Sequence, residues 1–333
     1  MALGKIGQAL TVREIYSLIQ DELRLVEDEI VLESVASVDT ITVIARHLHS
    51  SGGKRLRPSL LLLASKLIGD GGKSAIRMAA VVEIIHCATL VHDDVIDEAK
   101  TRRGRASTNV QWGNHTSVLA GDWLYMQAFQ IALRERNFRI LDILVALTQM
   151  MVEGELTQFE RLGKLDVTEA DYMDLVDRKT AALFSACARI GALVSGAGAE
   201  AETRLGDYAW NLGMAFQLVD DVLDFTAREQ VLGKPVGNDL REGKVTLPLI
   251  YALESASPAE RESVSAILRE RSYDSVAFPE IRRMIERRGG FERAKARAQQ
   301  FTDKARTLIG EFPDSPSQRA LYAVTELVTD RDH

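Results

Sequence analysis

The amino-acid sequence predicts one large all-α domain. Apolar residues recur at the spacing i, i+3, i+4, i+7 through most of the chain, and the period-two alternation of half-buried strands is almost absent. Helix-start chemistry is explicit: Thr11-Val-Arg-Glu14 reads as a capping box, and Ser257-Pro-Ala-Glu260 and Ser315-Pro-Ser-Gln318 add a proline at the first helical position. Short glycine-marked breaks separate the periodic segments, with no linker, low-complexity stretch or repeat among them. The 333 residues are 46% hydrophobic with only 7 Pro, enough apolar material for a large core.

In chain order, the capping box at Thr11 opens an amphipathic helix expected to run to about Ser34. A second helix spans about Val38 to Leu48 and stops at Ser50-Ser51-Gly52-Gly53. Lys54-Arg55-Leu56-Arg57-Pro58 follows, with Pro58 suited to a first helical turn. Gly69-Asp-Gly-Gly72 breaks the chain again before a long helix, about Ser74 to Asp97, that ends in the cationic loop Lys100–Arg105. Further helices are expected over about Thr116–Glu135, Phe138–Leu162 and Thr168–Val194, and, after Gly196 and Gly198, over Glu200–Phe225. A glycine-rich loop, Gly233–Asp239, precedes the C-terminal helices.

Composition also bounds the function. The formal net charge of -7 argues against nucleic acid as the main partner. Cys87 and Cys187 lie in apolar helical patterns, which suits buried thiols in a reducing compartment. The N-terminus lacks a basic stretch followed by an apolar one, so no signal peptide is expected. The apolar run around Leu60–Leu63 is too short to span a bilayer, and a cytoplasmic protein is expected.

Two stretches stand out against this background. Leu90-Val-His-Asp-Asp-Val-Ile-Asp97 and Leu218-Val-Asp-Asp-Val-Leu-Asp224 each place carboxylates at i, i+1 and i+4 inside an apolar helix. The first and third lie one above the other, with the second about 100° round the axis. Like charges so placed repel, so the two triplets read as halves of one polycation site, and hard oxygen ligands without a nearby cysteine point to Mg²⁺. The stripe His86, Thr89, Leu90, Asp93, Asp94, Asp97 and the stripe Gly213, Phe216, Gln217, Asp220, Asp221, Asp224 both run from small, apolar or neutral polar residues to carboxylates. That is the layout of a pocket with metal at its mouth and hydrocarbon below. A solvated acidic patch is the plainer alternative.

Cations fall where polyanions need them. Lys54, Arg55 and Arg57 follow two glycines at a helix start, where free N–H groups and positive charge favour phosphate. Arg102 and Arg103 lie just past the first triplet, and Lys234 and Lys244 just past the second. Val176, Lys179, Thr180 and Leu183 share one helical stripe, so Lys179 is placed on a core-facing side where an anion is expected to meet it.

These residues resemble the signatures of the trans-isoprenyl diphosphate synthases. Asp93–Asp97 and Asp220–Asp224 are similar to that family's two aspartate-rich motifs. Gly52-Gly-Lys-Arg-Leu-Arg-Pro58, Arg102-Arg103-Gly104, Lys179-Thr180, Phe216-Gln217 and Gly243-Lys244 resemble its other signatures, in the family's order. The spacing Asp93-Asp94-Val-Ile-Asp97 is similar to the long-chain branch, to which octaprenyl, solanesyl and decaprenyl diphosphate synthases belong.

The resemblance implies a single-domain bundle of antiparallel helices around a deep central cavity, usually as a homodimer. It implies Mg²⁺-dependent head-to-tail condensation of isopentenyl diphosphate onto an allylic diphosphate, with farnesyl or geranylgeranyl diphosphate as primer. The expected product is a long-chain polyprenyl diphosphate, decaprenyl before octaprenyl or solanesyl, delivered to the membrane for quinone side chains. Three Mg²⁺ ions are implied, two on Asp93 and Asp97 and the third on Asp220, with Asp94, Asp221 and Asp224 in support. Arg102, Lys179 and Lys234 would then grip the allylic diphosphate, with Lys244 nearby, and Lys54, Arg57, His86 and Arg103 would hold the isopentenyl diphosphate. Thr180 and Gln217 would stabilise the allylic cation, and Ala88 and Thr89, one turn below Asp93, would set chain length. The alternatives are a shorter-chain farnesyl or geranylgeranyl synthase, a terpene cyclase or head-to-head synthase, a non-catalytic partner subunit, and a metal-dependent phosphohydrolase using His92-Asp93.

Overall fold

The structure is a computed structural model that describes residues 10–50, 52–102, 104–227 and 236–329. Its fold is all-α. The helices of the first half are α1 (Val12–Ser17), α2 (Gln20–Glu33), α3 (Asp39–Ser50), α4 (Leu56–Ile68), α5 (Gly72–Ile96), α6 (Thr108–Leu133) and α7 (Phe138–Arg161). Then come α8 (Glu169–Val176), a π-turn (Asp177–Ala181), α9 (Ala182–Val194) and α10 (Ala199–Thr226). The chain continues with α11 (Asn238–Arg241), α12 (Leu247–Glu254), α13 (Pro258–Glu270), α14 (Phe278–Arg287), α15 (Gly290–Gly310) and α16 (Pro316–Thr329).

The described chain forms two compact units, Met1–Val145 with Phe184–Asp207 and Leu308–Val324, and Ala146–Leu183 with Tyr208–Thr307 and Thr325–His333. The boundaries fall inside long helices and not in linkers.

In the first unit α5 is the central element and packs against α2, α4 and α6. Met78 to Val82, Ile85, Ala88 and Val91 of α5 are completely buried. This helix is long and apolar enough to cross a membrane, which the short run at Leu60–Leu63 did not suggest. Yet 61% of its most apolar window is already inside the protein, as befits a core helix. In the second unit, Met214, Leu218, Val222 and Phe225 of α10 pack with α12, Ile281, Met284 and Phe291.

Several expected boundaries move. The segment from Thr11 to Ser34 is two helices and not one, because the chain turns at Leu18-Ile19 and carries Ile19 fully into the core. Its capping box forms as expected. Helix α6 starts at Thr108, ahead of the expected Thr116, and is kinked at Gly113, whose φ of 79° few other residues adopt. At the expected cationic loop Lys100–Arg105, two short strands pair antiparallel, β1 (Thr101–Arg102) with β2 (Arg105–Ala106). The expected helix Thr168–Val194 is interrupted by the π-turn. Ser257 and Glu260 form a complete capping box. At α16, Ser315 accepts from the Gln318 N–H, but the Gln318 side chain donates to the Ile309 carbonyl and so closes no box.

One ion-pair cluster in this fold has a measurable pH signature. Burial pushes the Glu27 carboxyl up, but hydrogen bonds from His49 and Arg55 and the Arg55 charge outweigh it and hold it at about 2. The folded value lies below the ordinary 4.5, so the stabilisation is complete above about 4.5 and is lost as pH falls towards 2. Glu27→Gln is therefore expected to flatten the acid limb of stability against pH. The change is at most about 1.4 kcal/mol per pH unit, the slope of one proton, less screening at a partly exposed side chain. Urea titrations from pH 6 to 3 check this; parallel limbs for variant and parent would remove Glu27 from the account.

Candidate active site

In the first unit, α5 remains helical through its acidic end, where the Asp97 N–H donates to the Asp93 carbonyl at 2.8 Å. Asp94 faces inward and is 1% exposed, while Asp93 and Asp97 are half-buried. The hairpin after α5 returns Arg102, whose Nε donates to Asp94 Oδ1 at 2.7 Å. Burial pushes the Asp94 carboxyl above its usual range, Arg102 pulls it back, and Asp97 pushes it up again. The cation expected to meet substrate is thus held by a carboxylate of the triplet. Asp94 Oδ2 is buried and has no hydrogen-bond partner among the described residues.

His92 turns away from the triplet. Its ring lies against Gly121 of α6, where an added Cβ would sit 2.2 Å from Nε2, and Nε2 lies 3.1 Å from the Val118 carbonyl. This histidine is used in packing α5 against α6, and its Nε2 also lies 3.5 Å from Asp122 Oδ1, a partner outside the triplet. Tyr125 of α6 is pushed up by burial and then by the Asp93 and Asp122 charges, so its hydroxyl stays protonated.

Two turns before the triplet, His86 Nε2 lies 3.0 Å from Arg57 Nη1, and the Arg57 guanidinium sits 5.6 Å from the centre of the Phe184 ring. An arginine only donates, so His86 Nε2 accepts. His47, His86, Leu90, Asp94, Arg102 and Thr108 line one cleft of this unit. Lys54 is exposed, whereas Arg55 is turned inward onto Glu27 and Glu83. Ala88 is completely buried, while Thr89 is half-buried and donates its hydroxyl to the His86 carbonyl. Neither cysteine is in a disulfide; Cys187 is buried and Cys87 half-buried.

In the second unit, a chain of hydrogen bonds runs from the π-turn to α10. Thr180 Oγ1 donates to Gln217 Oε1 at 2.9 Å, Gln217 Nε2 donates to Asp221 Oδ1 at 2.7 Å, and the Tyr172 hydroxyl donates to Asp221 Oδ2 at 2.6 Å. Burial pushes the Asp221 carboxyl well up, Asp239 adds to this, and the Tyr172 and Gln217 hydrogen bonds oppose it. Asp220 is half-buried. Asp224 is 1% exposed and accepts the Asp239 N–H at 3.2 Å. Lys244 pairs with Glu242 at 2.7 Å.

Lys179 does meet an anion, but one supplied by the protein. Its ammonium pairs with Glu155 of α7 and donates to Gln158 Oε1 at 3.1 Å. Gly154 permits this, since a Cβ there would meet the Arg178 Cβ at 2.8 Å and the Lys179 Cγ at 3.2 Å. The π-turn adds a residue to the helical ladder and so re-aims Lys179 and Thr180, a common use of such turns at functional sites.

Every expected site residue is described except Arg103 and Lys234, which lie outside the described residues. Sequence reasoning missed Glu155, Gln158 and Tyr172. The first two are a polar pair at i and i+3, but Glu153, Thr157, Glu160 and Arg161 around them are polar as well, so the pair does not stand out. Tyr172, 49 positions from Asp221, leaves no signal.

Among the described residues, no three His, Cys, Asp or Glu side chains form a ready-made metal cluster. The donor set nonetheless suits Mg²⁺: hard carboxylate oxygens, with the buried Asp94 Oδ2 still in need of a partner.

Comparison with known proteins supplies the rest. Residues 38–285 match the family model described as polyprenyl synthetase. The chain is 37% identical over 303 residues to octaprenyl diphosphate synthase of Escherichia coli (strain K12), covering 91% of this chain and 94% of that one. It resembles a solved decaprenyl diphosphate synthase from Rhodobacter capsulatus, at 35% identity and a TM-score of 0.91, over 96% of this chain and 99% of that one. It also resembles a solved polyprenyl synthase from Caulobacter crescentus complexed with calcium and isoprenyl diphosphate, at 34% identity and a TM-score of 0.92, over 98% and 100% of the two chains.

Proposed function

The chain belongs to the polyprenyl synthetase family, and from that premise we propose that it condenses isopentenyl diphosphate head-to-tail onto an allylic diphosphate to build a long-chain polyprenyl diphosphate. One observation carries the reading. The middle carboxylates Asp94 and Asp221 are buried and held by hydrogen bonds, Asp224 is buried beside the second of them, and Asp93, Asp97 and Asp220 are half-buried on the same helical turns. Each inner acid anchors its triplet, so the carboxylates of one helical turn stay together as a set of hard oxygen donors.

Asp93, Asp97, Asp220 and Asp224 would hold Mg²⁺, three ions by family likeness. When bound, Mg²⁺ supplies Lewis-acid stabilisation of charge on the departing diphosphate. Lys179, Arg102 and Lys244, with Lys234, bind the allylic diphosphate, which competes with Glu155 and Asp94 for the first two cations. Lys54, Arg57 and His86, with Arg103, bind isopentenyl diphosphate. Thr180 Oγ and Gln217 Oε1 turn electron-rich oxygens towards the developing allylic cation, and the Asp221 hydrogen bond fixes the Gln217 amide in that orientation. No protein nucleophile or base is needed: the isopentenyl double bond supplies the electron pair for the new carbon–carbon bond as the allylic bond to diphosphate breaks, and the departing diphosphate accepts the proton lost on forming the new double bond.

The test is an incubation of purified protein with Mg²⁺, farnesyl diphosphate and labelled isopentenyl diphosphate. The expected product is a long polyprenyl chain; phosphate release without chain growth would overturn the reading. The named products of the relatives differ, octaprenyl and decaprenyl, so the length is the finer part of the proposal. A decaprenyl product for quinone side chains, made in the cytoplasm and passed to the membrane, is the version we favour. A homodimer fits the apolar residues Leu119, Met126 and Leu133 of α6, which repeat every seven positions at 67%, 62% and 48% exposure. Sedimentation of the intact protein checks it.

Chain length has its own expected result. One helical turn is about 5.4 Å, roughly one prenyl unit, so a bulky group one turn below Asp93 is expected to halt growth early. Thr89→Tyr should shift the product to farnesyl or geranylgeranyl length. Ala88→Phe is the poorer probe, since Ala88 is completely buried and overpacking there costs typically about 1–3 kcal/mol. Chromatography of the dephosphorylated products reads the shift. Full-length chains from folded Thr89→Tyr would move the wall of the tunnel elsewhere.

A further inference from the structure

The turn Lys54-Arg55-Leu56-Arg57 carries three cations, and the structure separates them. Lys54 is exposed and Arg57 reaches His86, but the Arg55 side chain is only 12% exposed and is saturated by protein acceptors. Its Nε and Nη2 take both oxygens of Glu27, at 2.5 and 3.1 Å, and its Nη1 donates to Glu83 Oε1 at 2.8 Å. Nη2 also lies 3.3 Å from His49 Nδ1. A guanidinium has no acceptor, so His49 Nδ1 accepts, and His49 Nε2 carries the proton directed at Glu27 Oε2, 2.7 Å away.

Two carboxylates thus neutralise this one arginine, which leaves it little attraction for a substrate anion. We propose that Arg55 is a positioning residue, which binds no phosphate itself but fixes the turn that presents Lys54 and Arg57 to isopentenyl diphosphate. The inference rests on the function proposed above and assigns a role to a residue that function does not use.

The backbone shows how the positioning works. Arg55 adopts φ 46° and ψ 34°, a left-handed conformation that a residue other than glycine holds only when its surroundings impose it. The imposing contacts come from both sides of the turn. The Tyr16 hydroxyl of α1 donates to the Lys54 carbonyl, and the Ser59 N–H and hydroxyl donate to the Arg55 carbonyl at 3.0 and 2.8 Å. On α5, Glu83 holds Arg55 and His86, one turn on, holds Arg57, so the same helix sets the register of both arginines. Arginine is required for this bridge, because a lysine ammonium is a point donor that cannot span two carboxylates and a histidine at once.

Arg55→Lys tests the bridge, and Tyr16→Phe loosens the same turn without changing any charge. Steady-state constants for both substrates and the unfolding temperature are measured for each, after the parent protein has been shown to elongate the chain. Absence of chain growth by the parent would sink the proposed function itself, whatever the variants do. With an active parent, Arg55→Lys is expected to raise the KM for isopentenyl diphosphate about tenfold, the scale of one charge-assisted contact, and Tyr16→Phe about threefold. The allylic KM and kcat should stay within about twofold, because the loosened cations touch only one substrate. If Arg55→Lys does not fold, the Tyr16→Phe constants decide. An unchanged KM for isopentenyl diphosphate, or both Michaelis constants rising together, would overturn the positioning role.

Discussion

Asp93→Ala is expected to lower turnover at saturating Mg²⁺ by about 10²-fold or more, the scale of removing one preorganised group from a site where charge develops. Its effect on stability should be small or favourable. Asp93 is half-buried and stands beside two further carboxylates on the same helical end, so its removal relieves like-charge repulsion in the metal-free protein. Asp220→Ala should behave the same way on α10. Asp221→Ala makes the contrast. It would leave the buried Tyr172 hydroxyl and the Gln217 amide without their shared acceptor, at about 1–3 kcal/mol of stability. Turnover at saturating Mg²⁺ and thermal unfolding, measured on all three, separate the roles. Parental turnover by Asp93→Ala or Asp220→Ala would remove the metal-site assignment.

The second large effect is expected at Lys179. Lys179→Ala should lower kcat/KM for the allylic substrate by about 10²-fold, since a charge-assisted contact to the departing diphosphate is lost where charge accumulates. The KM for isopentenyl diphosphate should change little. The ion pair with Glu155 makes a second measurement possible. Removing the lysine leaves Glu155, only 16% exposed at its side chain, without its cation, so part of any stability loss belongs to Glu155. Adding Glu155→Gln to Lys179→Ala should restore stability and leave activity low. Recovery of both together would make the lysine structural. Equal effects on both Michaelis constants would argue against a dedicated allylic site.

Much of this molecule was legible in its sequence, for a physical reason. Helix periodicity, capping boxes such as Thr11–Glu14 and Ser257–Glu260, and glycine breaks are local energetics, written within a few residues of where they act. The two acidic triplets were legible for the same reason, because three carboxylates within five residues of an apolar helix stand out locally. The interruptions were harder to read. The break at Ile19, the kink at Gly113 and the π-turn at Asp177–Ala181 sit inside patterns that a 3.6-residue period accepts as continuous, and packing selects them.

Partner choice was the least legible. Arg55 and Lys179 read as cations awaiting anions, yet the anions are Glu27 and Glu83 in one case and Glu155 in the other. Arg102 read as a substrate contact and is held by Asp94. Nothing local distinguishes a lysine or arginine that meets substrate from one that meets a distant carboxylate. By its own residues the sequence determined helix content, the two acidic clusters and the surplus of cations beside them. Only the tertiary structure decided which of those charges neutralise each other. Burying a charge is too costly to leave uncompensated, and the compensating group is chosen by which helices come within about 3 Å, not by proximity in sequence.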